Sequence, residues 1–275
     1  MRLFFVPLLA TLALAADPNY MRDVEQYRAQ REATLKQDDG WLTVVGLFRL
    51  KEGDNTVGAG EPNEIALPAP APAHAGKIAF SKGQAIYYAT GRPGTTLRPN
   101  VDIITIGSIK FFVIKRGEEY FIRVKDNNSK IRRDFTGLKW FPIDPTWKVT
   151  AKIIAYDKPH TILFDSQNGV KQPMESPGYA TFTREGKEYR LDPVWEDHEL
   201  FFVFRDATSN KSTYGAARFL YATPSKDGSV ILDFNKAINP PCAFTAYATC
   251  PLPPPQNRLT LAVTAGEKKY SDAVE

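Results

Sequence analysis

The sequence has few of the side chains that bind transition metals and lacks the short motifs of common nucleotide-binding and hydrolase sites. Its 275 residues include 2 Cys and 3 His. Glycine-rich phosphate loops and a Gly-x-Ser-x-Gly turn are absent, which excludes the standard forms of those enzymes. The run Glu-Asp-His-Glu at 196–199 has no second cluster to complete a coordination shell, and consecutive side chains of an extended chain point in opposite directions. We therefore predict no metal and no cofactor.

Positive charge is neither large nor concentrated in this chain. The formal net charge is +4, and the densest basic run, residues 130–133, is followed at once by Asp134. Surfaces that bind nucleic acid need a concentrated basic stripe. Beyond the first residues, no apolar stretch approaches the length that spans a bilayer. The sequence therefore predicts neither a nucleic-acid partner nor a membrane partner, and it does not set an oligomeric state.

Residues 1–15 have the pattern of a secretory signal peptide. Arg2 supplies a positive start, residues 3–14 are mostly apolar, and Ala-Leu-Ala at 13–15 matches a small-residue cleavage site. The apolar run is too short to act as a stable anchor. We expect cleavage near Ala15 and export to the periplasm or the medium.

One helical pattern is followed by many short strand patterns. Tyr20, Val24, Tyr27 and Leu35 fall near one helical face, which predicts an N-terminal helix over 19–38. After this helix, short apolar runs alternate with turn residues, and 17 Phe and 12 Tyr favour strands. We predict a mainly β fold with one N-terminal helix.

The strand patterns divide into two groups. The first group predicts a β-sandwich over 40–125, and the second predicts an antiparallel β domain over 148–270. The polar turn cluster and the proline-containing stretch between them predict a junction over 126–147.

The first half resembles a forkhead-associated domain. The residues that carry this resemblance are 50–58 (LKEGDNTVG), 63–67 (NEIAL), 73–78 (AHAGKI) and 106–111 (IGSIKF). The resemblance implies a β-sandwich. It does not imply phosphopeptide binding, because Ala59 stands where that family has its binding arginine, and the serine ahead of the histidine is missing. We interpret His74 as a structural residue.

Motifs along most of residues 20–270 also resemble a family of bacterial and archaeal proteins known as domain of unknown function 1684. They are Gly40-Trp41-Leu42, Gly46-Leu47-Phe48, 135–142 (FTGLKWFP), 201–208 (FFVFRDAT), Tyr214-Gly215 and the stretch from Cys242 to Arg258. The family has no assigned reaction, so the resemblance implies an architecture and leaves the function open.

Three strand patterns of the second half predict a polar face. If they form a meander with centred loops, then Arg205, Tyr214, Arg218, Asp233 and Asn235 project to one side. Two arginines on one face suit a carboxylate or phosphate ligand, because the guanidinium fork matches those oxygens. The alternative is an internal Arg218–Asp233 ion pair without a ligand. A register slip of one residue would disperse the face.

The segment 239–258 contains both cysteines among several prolines. Proline fixes φ and removes a donor, so this path is stiff and extended. In an exported chain, Cys242 and Cys250 are predicted to form a disulfide. The alternatives are a cysteine nucleophile and free buried thiols. Tyr247, Asn257 and Arg258 are further candidates to line a cavity that this segment covers.

Three functions follow as hypotheses from these residues. The leading one is the binding of a small anionic ligand by the arginine-tyrosine face under residues 239–258. The second is an enzyme, a hydrolase or transferase, that uses Cys242 or Tyr214 with the arginines as anion stabilisers. The third is a protein-interaction module that works through exposed loops of the β-sandwich.

Overall fold

The computed structural model describes residues 17–166 and 169–270, so the predicted signal peptide lies outside the described residues. Helix α1 spans Pro18–Lys36 and confirms the predicted N-terminal helix. The helix begins at a capped N-terminus, where the Asp17 side chain accepts a hydrogen bond from the Asn19 N–H and Pro18 occupies the first turn. In the described ranges no helix is long and apolar enough to cross a membrane.

Helix α1 packs against the second half of the chain through its tyrosines. The Tyr20 hydroxyl donates to Asp233 Oδ1 at 2.9 Å, and the Tyr27 hydroxyl donates to the Lys236 carbonyl at 3.0 Å. Val24 and Leu35 are buried on the same side. Helices of weak amphipathicity depend on such tertiary contacts for their stability.

The Tyr27 contact predicts a dependence of stability on alkaline pH. Burial raises the pKa of Tyr27 to about 12, although the Arg31 guanidinium opposes the rise. The folded state therefore keeps the phenol protonated when the unfolded chain ionises near its ordinary value of about 10. The stabilisation is complete below that ordinary value, and we expect it to be lost as the pH rises towards about 12.

This alkaline dependence is measured by spectrophotometric phenol titration of the wild type and Tyr27→Phe. The difference between the two curves should titrate near pH 12. A difference that titrates near the ordinary tyrosine value would contradict the prediction.

Residues 44–126 form nine strands in two sheets. They are β1 (Val44–Arg49), β2 (Gly53–Ala59), β3 (Ile65–Leu67), β4 (Gly76–Ser81), β5 (Gln84–Ala89), β6 (Thr95–Thr96), β7 (Ile103–Ile106), β8 (Ile109–Arg116) and β9 (Glu119–Asp126). One sheet has the order β1-β9-β8-β7 and the other β3-β2-β4-β5-β6, with β2 and β3 parallel. Their facing sides share one core, which includes Val57, Ile78, Phe111 and Ile122. A sandwich therefore forms as predicted, while the specific likeness to a forkhead-associated domain is not confirmed.

Residues 127–147 connect the sandwich to the second half. They contain the short helix α2 (Lys130–Arg133) and a 3-10 helix over Pro145–Trp147. Four more 3-10 helices lie at Trp41–Thr43, Phe234–Lys236, Pro241–Ala243 and Pro255–Asn257.

The described part of the second half contains seven strands. They are β10 (Lys148–Asp165), β11 (Lys171–Arg184), β12 (Lys187–Leu191), β13 (Val194–Glu196), β14 (Glu199–Phe204), β15 (Arg218–Ala222) and β16 (Ser229–Asp233). One sheet has the order β12-β11-β10-β16 and the other β13-β14-β15. Their shared core includes Phe182, Phe202, Phe204 and Phe234. Strand β14 is buried on both faces, as its uninterrupted apolar run predicts.

The predicted meander is wrong in both of its hairpins. Strand β14 pairs Phe204 with Arg218, so the register differs from the one that a centred loop would give. Strand β16 pairs with β10 and places Asp233 opposite Lys148 in the other sheet. The physical reason lies in residues 205–217, which form an irregular connection whose turns Asp206 holds by accepting bonds from Thr208. Counting from a loop centre fails when the connection is asymmetric.

Candidate functional site

The outer face of the first sheet carries basic side chains towards the second half of the chain. In β8 and β9 alternate residues point to opposite faces, so Phe111 enters the sandwich core while Lys110 and Arg116 point away from it. In β9, Arg123 and Lys125 share this outer face. The Arg116 Nε–H donates to Thr249 Oγ1 at 3.1 Å. This bond places the face against residues 239–258, which we call the proline-cysteine segment.

A cavity of about 290 Å³ lies where this face, helix α1 and the second half meet, and we call it the junction cavity. Its apolar wall consists of Trp41, Met174, Phe201, Phe219 and Ile238. Its polar wall consists of Arg31, Arg116, Gln172, Glu196, Tyr221 and Asn239. The proline-cysteine segment closes it with Pro241, Thr249, Cys250 and Pro251. A largely apolar enclosure with a few convergent polar groups is the usual form of a small-molecule site.

The two arginines of the junction cavity differ in their partners. The Arg31 Nε–H donates to Glu267 Oε1 at 3.0 Å, and its Nη2 donates to the Asn239 carbonyl at 3.0 Å. Arg116 donates to Thr249 and, through Nη1, to the Lys115 carbonyl at 2.9 Å. Among the described residues no carboxylate lies within ion-pair distance of Arg116, and its Nη2 has no hydrogen-bond partner. Arg116 is therefore the cavity cation whose charge is not neutralised by a direct partner.

Glu196 is the carboxylate on the cavity wall, and a hydroxyl already binds it. The Tyr221 hydroxyl donates to Glu196 Oε2 at 2.9 Å. Burial raises the pKa of Tyr221, and the Glu196 carboxylate raises it further, so this phenol stays a donor at neutral pH. Burial lowers the pKa of Arg116, and the fields of Cys250 and Glu196 oppose that shift.

A second cavity of about 270 Å³ shares Arg31 and Trp41 with the junction cavity, and we call it the loop cavity because residues 37–41 cover it. Arg123 and Lys125 line it from β9. Arg123 is buried, and its guanidinium carbon lies 4.9 Å from the centre of the Trp41 ring. Basic side chains of the outer face thus border both cavities.

Cys242 and Cys250 are free buried thiols, so the predicted disulfide is not formed. The Cys242 N–H donates to Cys250 Sγ at 3.3 Å. A hydrogen bond from Cys250 lowers the pKa of Cys242, and a bond from Tyr214 adds to this effect, while burial opposes it. The bond to Cys242 and burial raise the pKa of Cys250. The free-thiol alternative is therefore the one that this structure contains, and spacing alone could not separate it from a disulfide.

The structure disperses the other residues that the sequence analysis selected. Arg218 is fully buried and donates to Asp206 Oδ2 at 2.9 Å, so its partner is not Asp233. Asp233 accepts from Tyr20, and Asn235 donates to the Tyr20 hydroxyl at 2.9 Å. The Tyr214 hydroxyl donates to the Cys242 carbonyl at 3.1 Å.

The remaining candidates lie at the end of the proline-cysteine segment or beside it. Asn257 is fully buried and binds the Asp192 N–H and carbonyl at 2.7 and 2.9 Å. Arg205 pairs through its backbone with the segment around Arg258, whose side chain is exposed. Tyr247 is 40% exposed. Of the residues that the sequence analysis selected, Cys250 is the one that lines the junction cavity.

Comparison with protein families gives a match to the model described as "Protein of unknown function (DUF1684)" over residues 133–268. Residues 133–268 belong to the DUF1684 family. The DUF1684 region supplies the rest of the apolar wall (Met174, Phe201, Phe219 and Ile238) and the proline-cysteine segment. Arg31, Trp41 and Arg116 come from residues that precede the matched range. The cations of the junction cavity are therefore added to the DUF1684 region from outside it.

A solved structure is also similar to this chain. It is the solution NMR structure of an uncharacterized protein from Haloarcula marismortui, with 32% sequence identity and a TM-score of 0.43. The match covers 52% of this chain and 80% of that chain. No functionally curated protein matches the chain.

Sequence reasoning missed Arg116 and Arg123, although a signal for them exists. The segments 109–116 (IKFFVIKR) and 119–126 (EYFIRVKD) alternate core residues with basic or apolar ones. A sheet that carries apolar residues on both faces is covered on both faces, so the interleaved arginines are expected to be buried as well. The alternation of residues does not show which part of the chain covers this outer face.

Proposed function

We propose that this protein binds a small organic anion in the junction cavity, with the anionic group on Arg116 and an apolar body against Phe201 and Phe219. The observation that carries this proposal is the Arg116 guanidinium, which lines the cavity without a carboxylate partner among the described residues. The residue pattern of the second half predicts the same ligand class, on other residues.

Electrostatics support an anionic ligand at this position. Removing a cation from water is costly unless an opposite charge compensates it, and Arg116 has two neutral acceptors in its vicinity. A carboxylate or phosphate would supply that charge and would accept from the guanidinium fork. Glu196, which lies on the same wall, disfavours a highly charged anion, so a monoanion is the better match.

The apolar wall supports an apolar body on the ligand. The Phe201 and Phe219 rings lie 4.7 Å apart in an edge-to-face arrangement, which fixes their orientation. An aromatic or branched aliphatic group that contacts them would be removed from water, and this burial contributes about 25 cal/mol per Å². Short aryl carboxylates combine both features.

Isothermal titration with 3-phenylpropionate tests the site, with the neutral 3-phenylpropanamide as the matched ligand. We expect the carboxylate to bind the wild type more tightly than the amide. Arg116→Met should weaken carboxylate binding by about tenfold or more, which corresponds to about 1.4 kcal/mol, and should leave amide binding nearly unchanged. Methionine keeps the length of the side chain and removes the charge.

Arg258→Met is the control variant, because Arg258 is exposed and belongs to the site that the sequence predicted. It should leave carboxylate binding unchanged. If Arg258→Met abolishes binding while Arg116→Met retains it, the junction cavity is not the site.

The enzyme hypothesis receives less support from the geometry than binding does. The thiol that lines the junction cavity belongs to Cys250, whose pKa is raised, and a protonated thiol is a weak nucleophile. Cys242 has the lowered pKa, but it does not line the cavity. We also propose that the protein acts after export, as its N-terminal pattern predicts.

A further inference from the structure

Arg123 is a buried cation without a direct partner among the described residues. Its exposed fraction is 5%, and its Nε and Nη2 atoms make no hydrogen bond. Burial, together with the neighbouring Arg116 charge, lowers the pKa of Arg123 to about 10, so the guanidinium remains charged at neutral pH. A buried charge that lacks both an ion pair and hydrogen bonds destabilises the fold by several kcal/mol in general.

The Trp41 ring stabilises the charge of the Arg123 guanidinium but does not satisfy its N–H groups. The indole lies against the Arg123 guanidinium at 4.9 Å, which stabilises the cation through the aromatic ring. The N–H groups of a guanidinium lie in its plane, so a ring beside the cation does not accept from them. Arg123 is one of the residues that line the loop cavity.

From this geometry we propose that the loop cavity is a binding site for a small oxyanion, held by the Arg123 guanidinium and by Lys125. The oxyanion is an inorganic phosphate or a carboxylate group, because both accept from an arginine fork. This site is separate from the junction cavity and does not depend on the ligand proposed there.

The other charged groups around the loop cavity already have partners. Asp38 accepts from the Arg132 Nη2 at 2.7 Å, and Asp39 accepts from Lys110. Lys125 donates to the Asp39 carbonyl, and a lysine has further donors available. Arg31, which lines the loop cavity, is paired with Glu267. Asp38 Oδ1 and Asp39 Oδ2 thus bind other cations, Asp39 Oδ1 has no hydrogen-bond partner, and Arg123 is left without a counter-charge among the described residues.

The site is tested by thermal unfolding in sodium phosphate, sodium acetate and sodium chloride at equal ionic strength. We expect phosphate or acetate to raise the Tm of the wild type by about 2–4 °C or more relative to chloride. A response to phosphate alone identifies a phosphate site, and a response to both identifies a general oxyanion site. Equal Tm values in all three salts would overturn the proposal.

Arg123→Met separates this site from a structural role of Arg123. Without an oxyanion, the variant should be as stable as the wild type or more stable, because it removes an uncompensated buried charge. It should also lose the response to the oxyanion. A variant that is less stable in chloride and keeps the response would show that Arg123 is structural.

Arg116→Met is the matched control, since it removes the cation of the junction cavity. It should retain the oxyanion response of the wild type. If the response disappears in Arg116→Met and persists in Arg123→Met, the oxyanion binds in the junction cavity and the proposal is wrong.

A second measurement covers the case in which Arg123→Met does not fold. Arg123→Lys keeps the charge but loses the fork, so its oxyanion affinity should fall by about tenfold or more. In the wild type, the Arg123 Nε–H resonance, assigned by its absence from this variant, should shift as the oxyanion is added. A resonance that does not move would contradict the proposal.

Discussion

Asp206→Ala is expected to lower the free energy of unfolding by roughly 3–5 kcal/mol, because it leaves the buried Arg218 without its counter-charge. Asp206 and Arg218 have side chains that are 0% exposed, and the Arg218 Nη1 donates to Asp206 Oδ2 at 2.9 Å. The same carboxylate accepts from the Thr208 N–H at 2.7 Å. The substitution therefore removes an ion pair and a turn contact together.

Urea denaturation followed by circular dichroism measures this loss, and a double-mutant cycle apportions it. Asp206→Leu combined with Arg218→Met should be less destabilising than the sum of the two single variants, because no unpaired charge remains. Asp134→Ala, which breaks the exposed Lys130–Asp134 pair, is the control and should leave the denaturation midpoint unchanged. Additive single and double variants would contradict the buried-pair account.

The partner of Arg218 shows where prediction from the sequence stopped. The pattern correctly placed Arg218 on a strand. Asp233 was the internal partner offered as the alternative to a ligand, because a hairpin with its loop centred between residues 225 and 226 would set it opposite Arg218, whereas β16 pairs with β10. The structure pairs Arg218 with Asp206, which lies in the irregular connection 205–217. The path of an irregular loop depends on tertiary contacts that periodicity does not encode.

The fold could be predicted from the sequence more completely than the candidate site. Short apolar runs between turn residues predicted a mainly β chain, and the apolar spacing predicted a helix over 19–38, close to the observed α1. A strand pattern shows that a residue such as Arg116 points away from the sandwich core. It does not show that Thr249 and Phe201, distant in sequence, complete a cavity with it. Only the packing of the two halves brings these residues together.

The proline-cysteine segment illustrates an intermediate case. Its composition predicted a stiff path beside a cavity, and Pro241, Thr249 and Cys250 do line the junction cavity. The same composition predicted a disulfide, but the two thiols are free. Spacing constrains the distance between two cysteines and does not fix their oxidation state.

Phe234→Ala is the second large effect that we expect, with a loss of about 3–5 kcal/mol of unfolding free energy. Phe234 is fully buried, and its ring centre lies 5.9, 5.6 and 5.7 Å from the ring centres of Trp147, Phe182 and Phe204. Alanine would leave a cavity among these three rings, which come from a 3-10 helix and from one strand of each sheet. Such a cavity collapses only in part, so its cost adds to the lost burial.

Ile231→Ala on the same strand region is the matched control, because Ile231 is 40% exposed and its loss should be about 0.5 kcal/mol or less. Phe234 also precedes Asn235, whose side chain donates to the Tyr20 hydroxyl, so the core and helix α1 meet at this point. Hydrogen exchange in Phe234→Ala should therefore show faster exchange in α1 as well as in β16. Faster exchange confined to β16 would mean that α1, and with it the Arg31 wall of the junction cavity, is held independently of this core.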